Sequence, residues 1–373
     1  MKNLSKETKK KIKLIAGLVL LAAFFAVGLY FTLRKTPDFE YRAADGAVTL
    51  EQYVGKGTEV VIPTELDGLP VTAIGRFCFS GCSEVTSVEI PESIRSISIY
   101  AFEDCKALTQ IELPQSLTEI AAGAFMNSGL TSVEIPESVA AIREFAFKGC
   151  GELESVSLPE GLLIIEREAF AGCAKLSGVE LPELMAQVGS GAFMGCASIE
   201  SIVFPNFTTS PDNENDERIS VEPFTFKDCT ALKTVELTGE TYWIDEQAFA
   251  GCTALEQVIS EGGCWVGERA FSGCTSLKSF DFGGVDNGWV REYAFENCTA
   301  LENVFSTRNL MIIYEGAFSG CSALKGIELG GRLVEIGDKA FDGCKSLTVY
   351  ASDGSVGANY ARQHGITVRE LGA

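Results

Sequence analysis

The chain has 373 residues, of which 46% are hydrophobic and 24 are phenylalanine, so it has enough apolar side chains to bury a core. This composition excludes the disordered and fibrous classes of protein. The formal net charge at pH 7 is −21. Because so acidic a chain gains little from counterion release, nucleic acid is excluded as a partner.

The first 35 residues contain an apolar run flanked by basic residues. Residues 14–33 carry no charge and are long enough to cross a bilayer as a helix. Six lysines precede this run and two basic residues follow it, which predicts that residues 1–13 form a cytoplasmic tail. We therefore predict a single-pass signal-anchor that holds the rest of the chain outside the cell membrane. The alternative is a signal peptide cleaved near Gly28, which would yield a secreted protein.

A repeated Ala-Phe-x-x-Cys unit dominates the rest of the chain. Its Phe recurs at intervals of 22 to 24 residues, apart from one interval of 33. After Cys105, apolar residues alternate up to Leu113, as in a strand with one buried face, and Pro114 ends that strand. Leu117 and Ile120 then return the chain to the core, so each unit is one coil of a solenoid that buries its apolar side by stacking. The twelve positions are Phe79, Phe102, Phe125, Phe147, Phe170, Phe193, Phe226, Phe249, Phe271, Phe295, Phe318 and Phe341.

These units resemble the leucine-rich repeats of BspA-like bacterial surface proteins, whose consensus is L-x-x-I-x-L-P-x-x-L-x-x-I-x-x-x-A-F-x-x-C. The resemblance covers residues 59–349, with an insertion at 204–222. It implies a leucine-rich-repeat solenoid of about 12 coils, mainly β with turns and short helical segments, behind the transmembrane helix. Residues 34–58 are similar to a stalk and N-terminal cap, and residues 350–373 to a C-terminal cap. The family implies cell-surface adhesion or protein recognition, without a particular ligand.

The second half of the chain departs from the consensus. After Pro205, the proline that follows the first strand of each coil is replaced by other residues, such as Thr238. We therefore expect the coil to change shape there. The insertion at 204–222 has the composition of a flexible loop, and whether its alternating acids bind calcium or contact a partner stays open.

Eleven of the thirteen cysteines occupy one position of the repeat, and Ser128 fills it once. Neighbouring coils lie about 4.8 Å apart, so disulfides are geometrically possible, but we interpret the column as small buried thiols in a tight turn. With one histidine and no Cys-x-x-Cys in the chain, we predict no metal site and no cofactor. Outside the column, we expect Cys264 to be exposed and reactive. The column is Cys82, Cys105, Cys150, Cys173, Cys196, Cys229, Cys252, Cys274, Cys298, Cys321 and Cys344.

Residues that could perform catalysis do not form a recognisable motif. The only histidine, His364, lies in the expected cap, and the chain has no G-x-S-x-G sequence. We therefore predict that the protein is not an enzyme.

Acids recur at one outward position of the first strand in most coils, and residues 36–373 have a formal charge of −28. Such repetition is typical of a solvated face, which either keeps the protein soluble or attracts a basic partner surface. The acids proposed to contact a partner are Glu89, Glu112, Glu134, Glu180 and Glu236.

The three tryptophans, Trp243, Trp265 and Trp289, each precede the Phe of their coil by six residues and should stack on consecutive coils. Because the residue after each matches a buried consensus Ile, we expect the rings to point outward. Ile312 continues this column, with Tyr242 and Tyr314 beside it. Such a patch is either a partner-binding site or a packing ladder.

From these features we predict a non-enzymatic surface protein, an adhesin or receptor-like molecule, that binds another protein. One alternative is a structural envelope protein that self-associates. The other is a glycan-binding surface protein, although stacked rings would offer sugars their edges rather than open faces.

Overall fold

The computed structural model describes residues 34–205, 219–239, 241–260, 262–285 and 288–371. The predicted cytoplasmic tail, the anchor at 14–33 and most of the insertion at 204–222 lie outside these residues. Among the residues that are described, no helix has the length and hydrophobicity needed to cross a bilayer.

The predicted leucine-rich-repeat solenoid is confirmed. The chain winds through about 13 turns with little helix. Each coil has three sides, which we name by their residues. The Glu face carries the first strand and the row of acids, the Trp face carries the second strand and the tryptophans, and the turn face carries the Ala-Phe-x-x-Cys unit.

The Glu face consists of short parallel strands from successive coils. They belong to four sheets of three, two, three and five strands. Their bounds are Glu59–Val61, Ser87–Glu89, Gln110–Ile111, Ser132–Glu134, Ser155–Ser157, Ser201–Phe204, Thr234–Leu237, Gln257–Ser260, Ser279–Asp281, Asn303–Phe305, Gly326–Leu329, Thr348–Ala351 and Thr367–Arg369.

The Trp face consists of two sheets, one with ten strands and one with six. The strands are parallel apart from the N-terminal strands up to Leu69–Ile74, three pairs of which are antiparallel. The strands of the first sheet are Arg34–Lys35, Phe39–Ala44, Ala47–Tyr53, Glu65–Leu66, Leu69–Ile74, Ser96–Ile97, Glu119–Ile120, Ala141–Ile142, Ile164–Ile165 and Gln187–Val188. Those of the second are Ile219–Val221, Thr241–Ile244, Gly263–Val266, Gly288–Val290, Leu310–Ile313 and Glu335–Ile336.

The phenylalanines of the repeat form one continuous stack inside the solenoid. Neighbouring ring centroids lie 4.9 to 5.5 Å apart, and the ring planes differ by 12° or less. Such offset stacking suits the aromatic quadrupole, and the burial of each ring stabilises the fold. Since every ring contacts the rings of both neighbouring coils, stability is shared along the solenoid.

Both ends of the stack are covered. At the N-terminal end, the hairpin formed by Phe39–Ala44 and Ala47–Tyr53 places the ring of Tyr53 5.2 Å from that of Phe79. At the C-terminal end, the helix Val356–Gln363 places Tyr360 against Phe341, with a centroid distance of 6.0 Å.

The coils are shaped differently where the proline is absent. Thr238, at the position of Pro205, donates its backbone N–H to the Phe204 carbonyl at 3.2 Å, a hydrogen bond that proline could not make. On the Trp face, the strands between residues 96 and 188 have two residues each, whereas Thr241–Ile244 and Gly263–Val266 have four. The N–H group of Thr238 thus adds one backbone hydrogen bond between coils at the end of the first strand.

Candidate protein-binding faces

The acids on the first half of the Glu face lie close together. Backbone pairing puts Glu89 level with Glu112, and Glu134 follows on the next strand. All three side chains are exposed. Within the described residues, none of them forms an ion pair. Because neighbouring strands are about 4.8 Å apart, the like charges repel one another.

Uncharged polar residues surround this acid row. The hydroxyl of Thr86 donates to the Thr58 carbonyl at 3.1 Å, and that of Thr131 to the Thr109 carbonyl at 3.1 Å. A cleft of about 420 Å³ opens on the same surface, lined in part by Gln110, Glu112, Gln115, Ser132 and Glu134. A second, of about 320 Å³, is lined in part by Glu59, Val61, Ser87, Glu89 and Glu112. The surface is anionic and offers shallow recesses.

The second half of the Glu face has a different chemistry. There the outward row alternates between apolar and acidic residues on successive coils: Val203, Glu236, Ile259, Asp281, Phe305, Glu328 and Tyr350. Val203 and Phe305 are 49% and 51% exposed, so large apolar side chains stand in water between acids.

A second row, which we name the edge row, runs beside this one. It alternates in the opposite phase, with a glutamate on each coil whose outward residue is apolar and a lysine on each coil whose outward residue is acidic. Its residues are Glu200, Lys233, Glu256, Lys278, Glu302 and Lys325. They pair two by two: Lys233 Nζ lies 2.8 Å from Glu200 Oε2, Lys278 Nζ lies 2.5 Å from Glu256 Oε2, and Lys325 pairs with Glu302.

The three tryptophans form a cluster on the Trp face. The rings of Trp243 and Trp265 stack with a centroid distance of 4.6 Å, and Trp289 meets Trp243 edge-on at 5.6 Å. Ile312 pairs with Trp289 in the sheet, and all four side chains are half-buried. Tyr314 is also half-buried, under the Arg291 guanidinium, which lies 4.7 Å from its ring centroid. The rings therefore cover much of one another.

Two sequence-based expectations about this region are wrong, because Tyr242 and Cys264 are buried. The two residues are partners on adjacent strands, and each precedes an outward tryptophan, so strand alternation turns both inward. The Tyr242 hydroxyl donates to the Pro205 carbonyl at 2.9 Å, and burial raises its pKa to about 12. Cys264 is therefore not an exposed thiol, since burial also raises its pKa to about 12.

The repeat cysteines line the turn face from inside. All thirteen cysteines are free thiols, and in the column only Cys82 is partly exposed. The others donate through Sγ to the carbonyl of the preceding coil's phenylalanine, as in Cys252 to Phe226 at 3.1 Å. Ser128, which replaces one cysteine, instead contacts Cys150 Sγ at 3.3 Å. Within the described residues, no group of three or more His, Cys, Asp or Glu is arranged to hold a metal ion.

A cavity of about 500 Å³ lies at the C-terminal end and is lined in part by Phe341, Tyr360 and His364. His364 stacks on Tyr360 with a centroid distance of 3.9 Å, and its Nδ1 lies 2.8 Å from the Tyr360 carbonyl. The only histidine thus packs against the cap helix.

Sequence analysis did not identify the apolar side chains of the outward row in the second half of the Glu face. Val203, Ile259 and Phe305 occupy the position at which other coils carry an acid, and the recurrence of acids alone does not reveal them. The detectable signal is their spacing, since they fall on every second coil and the edge row alternates in the opposite phase.

Comparison with known proteins places the repeat in a family. The sequence matches the family model described as BspA type leucine rich repeat region, in six copies over residues 72–200 and 217–350. No match was found among curated proteins.

Two solved structures with a TM-score above 0.5 share the fold. A leucine-rich repeat protein from Bacteroides ovatus ATCC 8483 is 23% identical, with 91% of this chain and 100% of that chain covered and a TM-score of 0.53. The pneumococcal vaccine antigen PcpA is 18% identical, with 92% and 99% covered and a TM-score of 0.51. A leucine-rich cell surface protein from Faecalibacterium prausnitzii A2-165 is 22% identical, with 92% and 98% covered and a TM-score of 0.48.

Proposed function

Because this chain belongs to the BspA type leucine-rich repeat family, whose model matches more than half of its residues, we propose that it is a non-enzymatic surface protein that recognises another protein. Its partner carries a basic surface that docks on the first half of the Glu face. The acid row of Glu89, Glu112 and Glu134 is the observation that carries this proposal. A row of adjacent like charges without ion-pair partners in the described residues is relieved when a cationic surface covers it.

The proposal extends to the place where the protein acts. Residues 14–33 form the single-pass anchor, residues 1–13 stay in the cytoplasm, and the caps at 34–58 and 350–373 enclose extracellular repeats at 59–349. The 20 uncharged residues of the apolar run, with most basic residues before them, support this arrangement. The Faecalibacterium relative is described as a cell surface protein, which is consistent with it.

The test compares two triple variants of the full chain that change the net charge equally. The row variant carries Glu89→Gln, Glu112→Gln and Glu134→Gln. The control variant carries Glu137→Gln, Glu160→Gln and Glu183→Gln, which are exposed residues at the corners after the strand prolines. Both variants and the parent are used to capture proteins from envelope and host-cell extracts, at low and at high salt.

We expect the parent and the control variant to capture the same protein at low salt, and the row variant to lose it. High salt should weaken the capture, because exposed charges are screened. Equal capture by the row variant would contradict docking on this face.

A second candidate function is self-association through the tryptophan cluster. Trp243, Trp265 and Trp289 form a half-buried apolar patch on an otherwise charged molecule, and tryptophan contributes strongly to interfaces. Their mutual stacking, with Ile312 and Tyr314 beside them, favours a protein surface over a glycan as the occupant. Sedimentation of the full chain in detergent over a range of concentrations tests this. A mass that rises with concentration in the parent, but not in the Trp265→Ser variant, would support a second copy as the partner.

A further inference from the structure

A recess at the C-terminal end of the Glu face has a composition unlike the rest of that face. It encloses about 350 Å³ and is lined in part by Asn303, Phe305, Gly326, Glu328 and Tyr350. The parallel pairing of Asn303–Phe305, Gly326–Leu329 and Thr348–Ala351 places these residues on three consecutive coils. One carboxylate thus lies in a row between two aromatic side chains.

Gly326 creates the recess. The neighbouring coils carry Asn303 and Thr348 at this position, whereas Gly326 has no side chain. The ring of Tyr350 lies over the space that the missing side chain of Gly326 leaves free. A Cβ atom built on Gly326 would lie only 3.1 Å from Tyr350 Cε2. Any residue larger than glycine would displace this ring and fill the recess.

The spacing of the two aromatic residues suits an inserted group. The backbones of Phe305 and Tyr350 are two coils apart, which corresponds to about 9.6 Å at about 4.8 Å per strand. The ring of Phe305 is 51% exposed, so a partner can reach it. A planar cation between two such rings lies within the roughly 6 Å at which cation–π attraction acts.

The chain itself shows the chemistry that Glu328 accepts. Arg308, in the turn Thr307–Asn309, places Nε 2.7 Å from Glu328 Oε2. The turn is held there by Thr307, whose hydroxyl donates to the Glu328 carbonyl at 2.5 Å. Because both charged side chains are more than half exposed, the ion pair is weak and is easily exchanged.

We propose that this recess binds an arginine side chain of the protein partner, with the guanidinium between Phe305 and Tyr350 and paired with Glu328 in place of Arg308. Arginine is favoured over lysine because a planar guanidinium both stacks on rings and forms a forked pair with a carboxylate. Asp281 lies next to Phe305 on the outward row, so the recess suits a partner that carries more than one basic residue. This inference rests on the proposed recognition of a basic protein.

The test uses a defined probe, acetyl-arginine methylamide, and the full chain in neutral detergent. Saturation-transfer NMR reports on weak binding of such a probe, and acetyl-lysine methylamide is titrated in parallel. We expect saturable binding of the arginine probe to the parent and weaker binding of the lysine probe. Absence of saturable arginine binding to the parent overturns the proposal.

Four variants test this geometry. Three of them should weaken arginine binding and one should tighten it. Phe305→Ser and Glu328→Gln should each weaken arginine binding about two- to five-fold, which is the effect of an exposed cation–π contact or ion pair. Gly326→Asn should weaken it at unchanged charge by filling the recess. Arg308→Ala should tighten it about two- to five-fold, because the internal competitor for Glu328 is gone. If all four variants bind the arginine probe as tightly as the parent does, the proposal is overturned.

A matched control is Val334→Ser, which removes an exposed apolar side chain outside the Glu face and should bind as the parent does. Thermal melting of each variant checks that the fold is kept. The outcome is separable from the recognition test above. If the row variant loses its captured protein but the parent binds no arginine probe, the basic-partner proposal stands and the arginine recess fails. If the parent binds the arginine probe but the row variant still captures the protein, the arginine recess stands and docking on the acid row fails.

Discussion

The carbonyl of most stacked phenylalanines accepts two hydrogen bonds. The Phe226 carbonyl accepts the backbone N–H of Cys229 at 3.2 Å and the thiol of Cys252, one coil later, at 3.1 Å. A carbonyl oxygen has two lone pairs, so both are used in a site closed to water. The thiol therefore does more than fill space, because it links each coil to the next.

Burial of these thiols predicts a loss of stability at alkaline pH. Burial raises the pKa of Cys105, Cys229 and Cys344 from 9.0 to about 12, so the folded protein keeps them protonated. In the unfolded chain they release protons above pH 9. Their contribution is therefore complete below pH 9 and declines by about 1.4 kcal/mol per pH unit for each thiol until the folded pKa is reached.

Urea unfolding measured from pH 7 to pH 11 checks this. We expect the free energy of unfolding to decline above pH 9, and a Cys229→Ser variant to decline less steeply because one titrating thiol is gone. A profile that is flat up to pH 11 would contradict protonated buried thiols.

The repeat pattern of the sequence predicts the location of some residues in the coil better than that of others. The core Phe and the cysteine column follow from the repeat, since any residue recurring at 23-residue spacing takes the same place in every coil. Tyr242 and Cys264 were misplaced because other coils carry polar residues such as Thr118 at this position. The shorter strands of those coils leave the position exposed, and the longer strand of the second half turns it inward.

At the level of the elements, each turn requires two residues with positive φ. One lies two positions after the core Phe, where the chain uses mostly glycine, with aspartate or asparagine as in Asp104 and Asn127. The other lies two positions before it and is often large, as in Phe77 and Tyr100. The first could be expected from its glycines, whereas the second could not, because aromatic residues rarely adopt this conformation.

Glycine takes the second position in three coils, and at two of them, Gly123 and Gly316, the aromatic ring of the preceding coil leaves no room for a side chain. Gly123 has a φ of +63°, and a Cβ atom there would lie 2.2 Å from the ring of Tyr100. We expect Gly123→Ala to lower the free energy of unfolding by about 1–3 kcal/mol, from backbone strain and the clash together. Gly151, with nothing within 4 Å, is the matched control, and Gly151→Ala should have little effect.

Urea unfolding measures both glycine variants. A Gly123→Ala, Tyr100→Ala double variant should recover part of the loss, because the clash is relieved while the backbone strain stays. Equal stability of Gly123→Ala and Gly151→Ala would show that the ring does not constrain the turn.

For the whole molecule, the Glu face divides into two halves of different charge balance. The first half has adjacent acids without ion pairs among the described residues, whereas the second half pairs its edge row within the chain, as in Lys233 with Glu200. The repetition of acids in the sequence predicts the acidic first half of the Glu face. The second half was not anticipated, because its alternation is seen when whole repeats are aligned with one another and not from the acids alone.

This division of the Glu face predicts that the charge of an acid in its first half lowers the free energy of unfolding. Removing the charge in Glu112→Gln should raise the free energy of unfolding by about 0.2–1 kcal/mol, because Glu89 and Glu134 repel it. Thermal melting at low and high salt checks this, since the gain should shrink as salt screens the repulsion. A loss of stability in Glu112→Gln would mean that this carboxylate is structurally required, and the partner would no longer be needed to explain the row.

The opposite phases of the outward row and the edge row limit how the second half can change in length. Deleting one coil between Glu200 and Lys325 would bring together either two edge-row glutamates and two apolar outward residues, or two edge-row lysines and two outward acids. Deleting two coils would preserve every pairing. A change in the length of this half that keeps its charge balance therefore requires an even number of coils, a unit of about 46 residues.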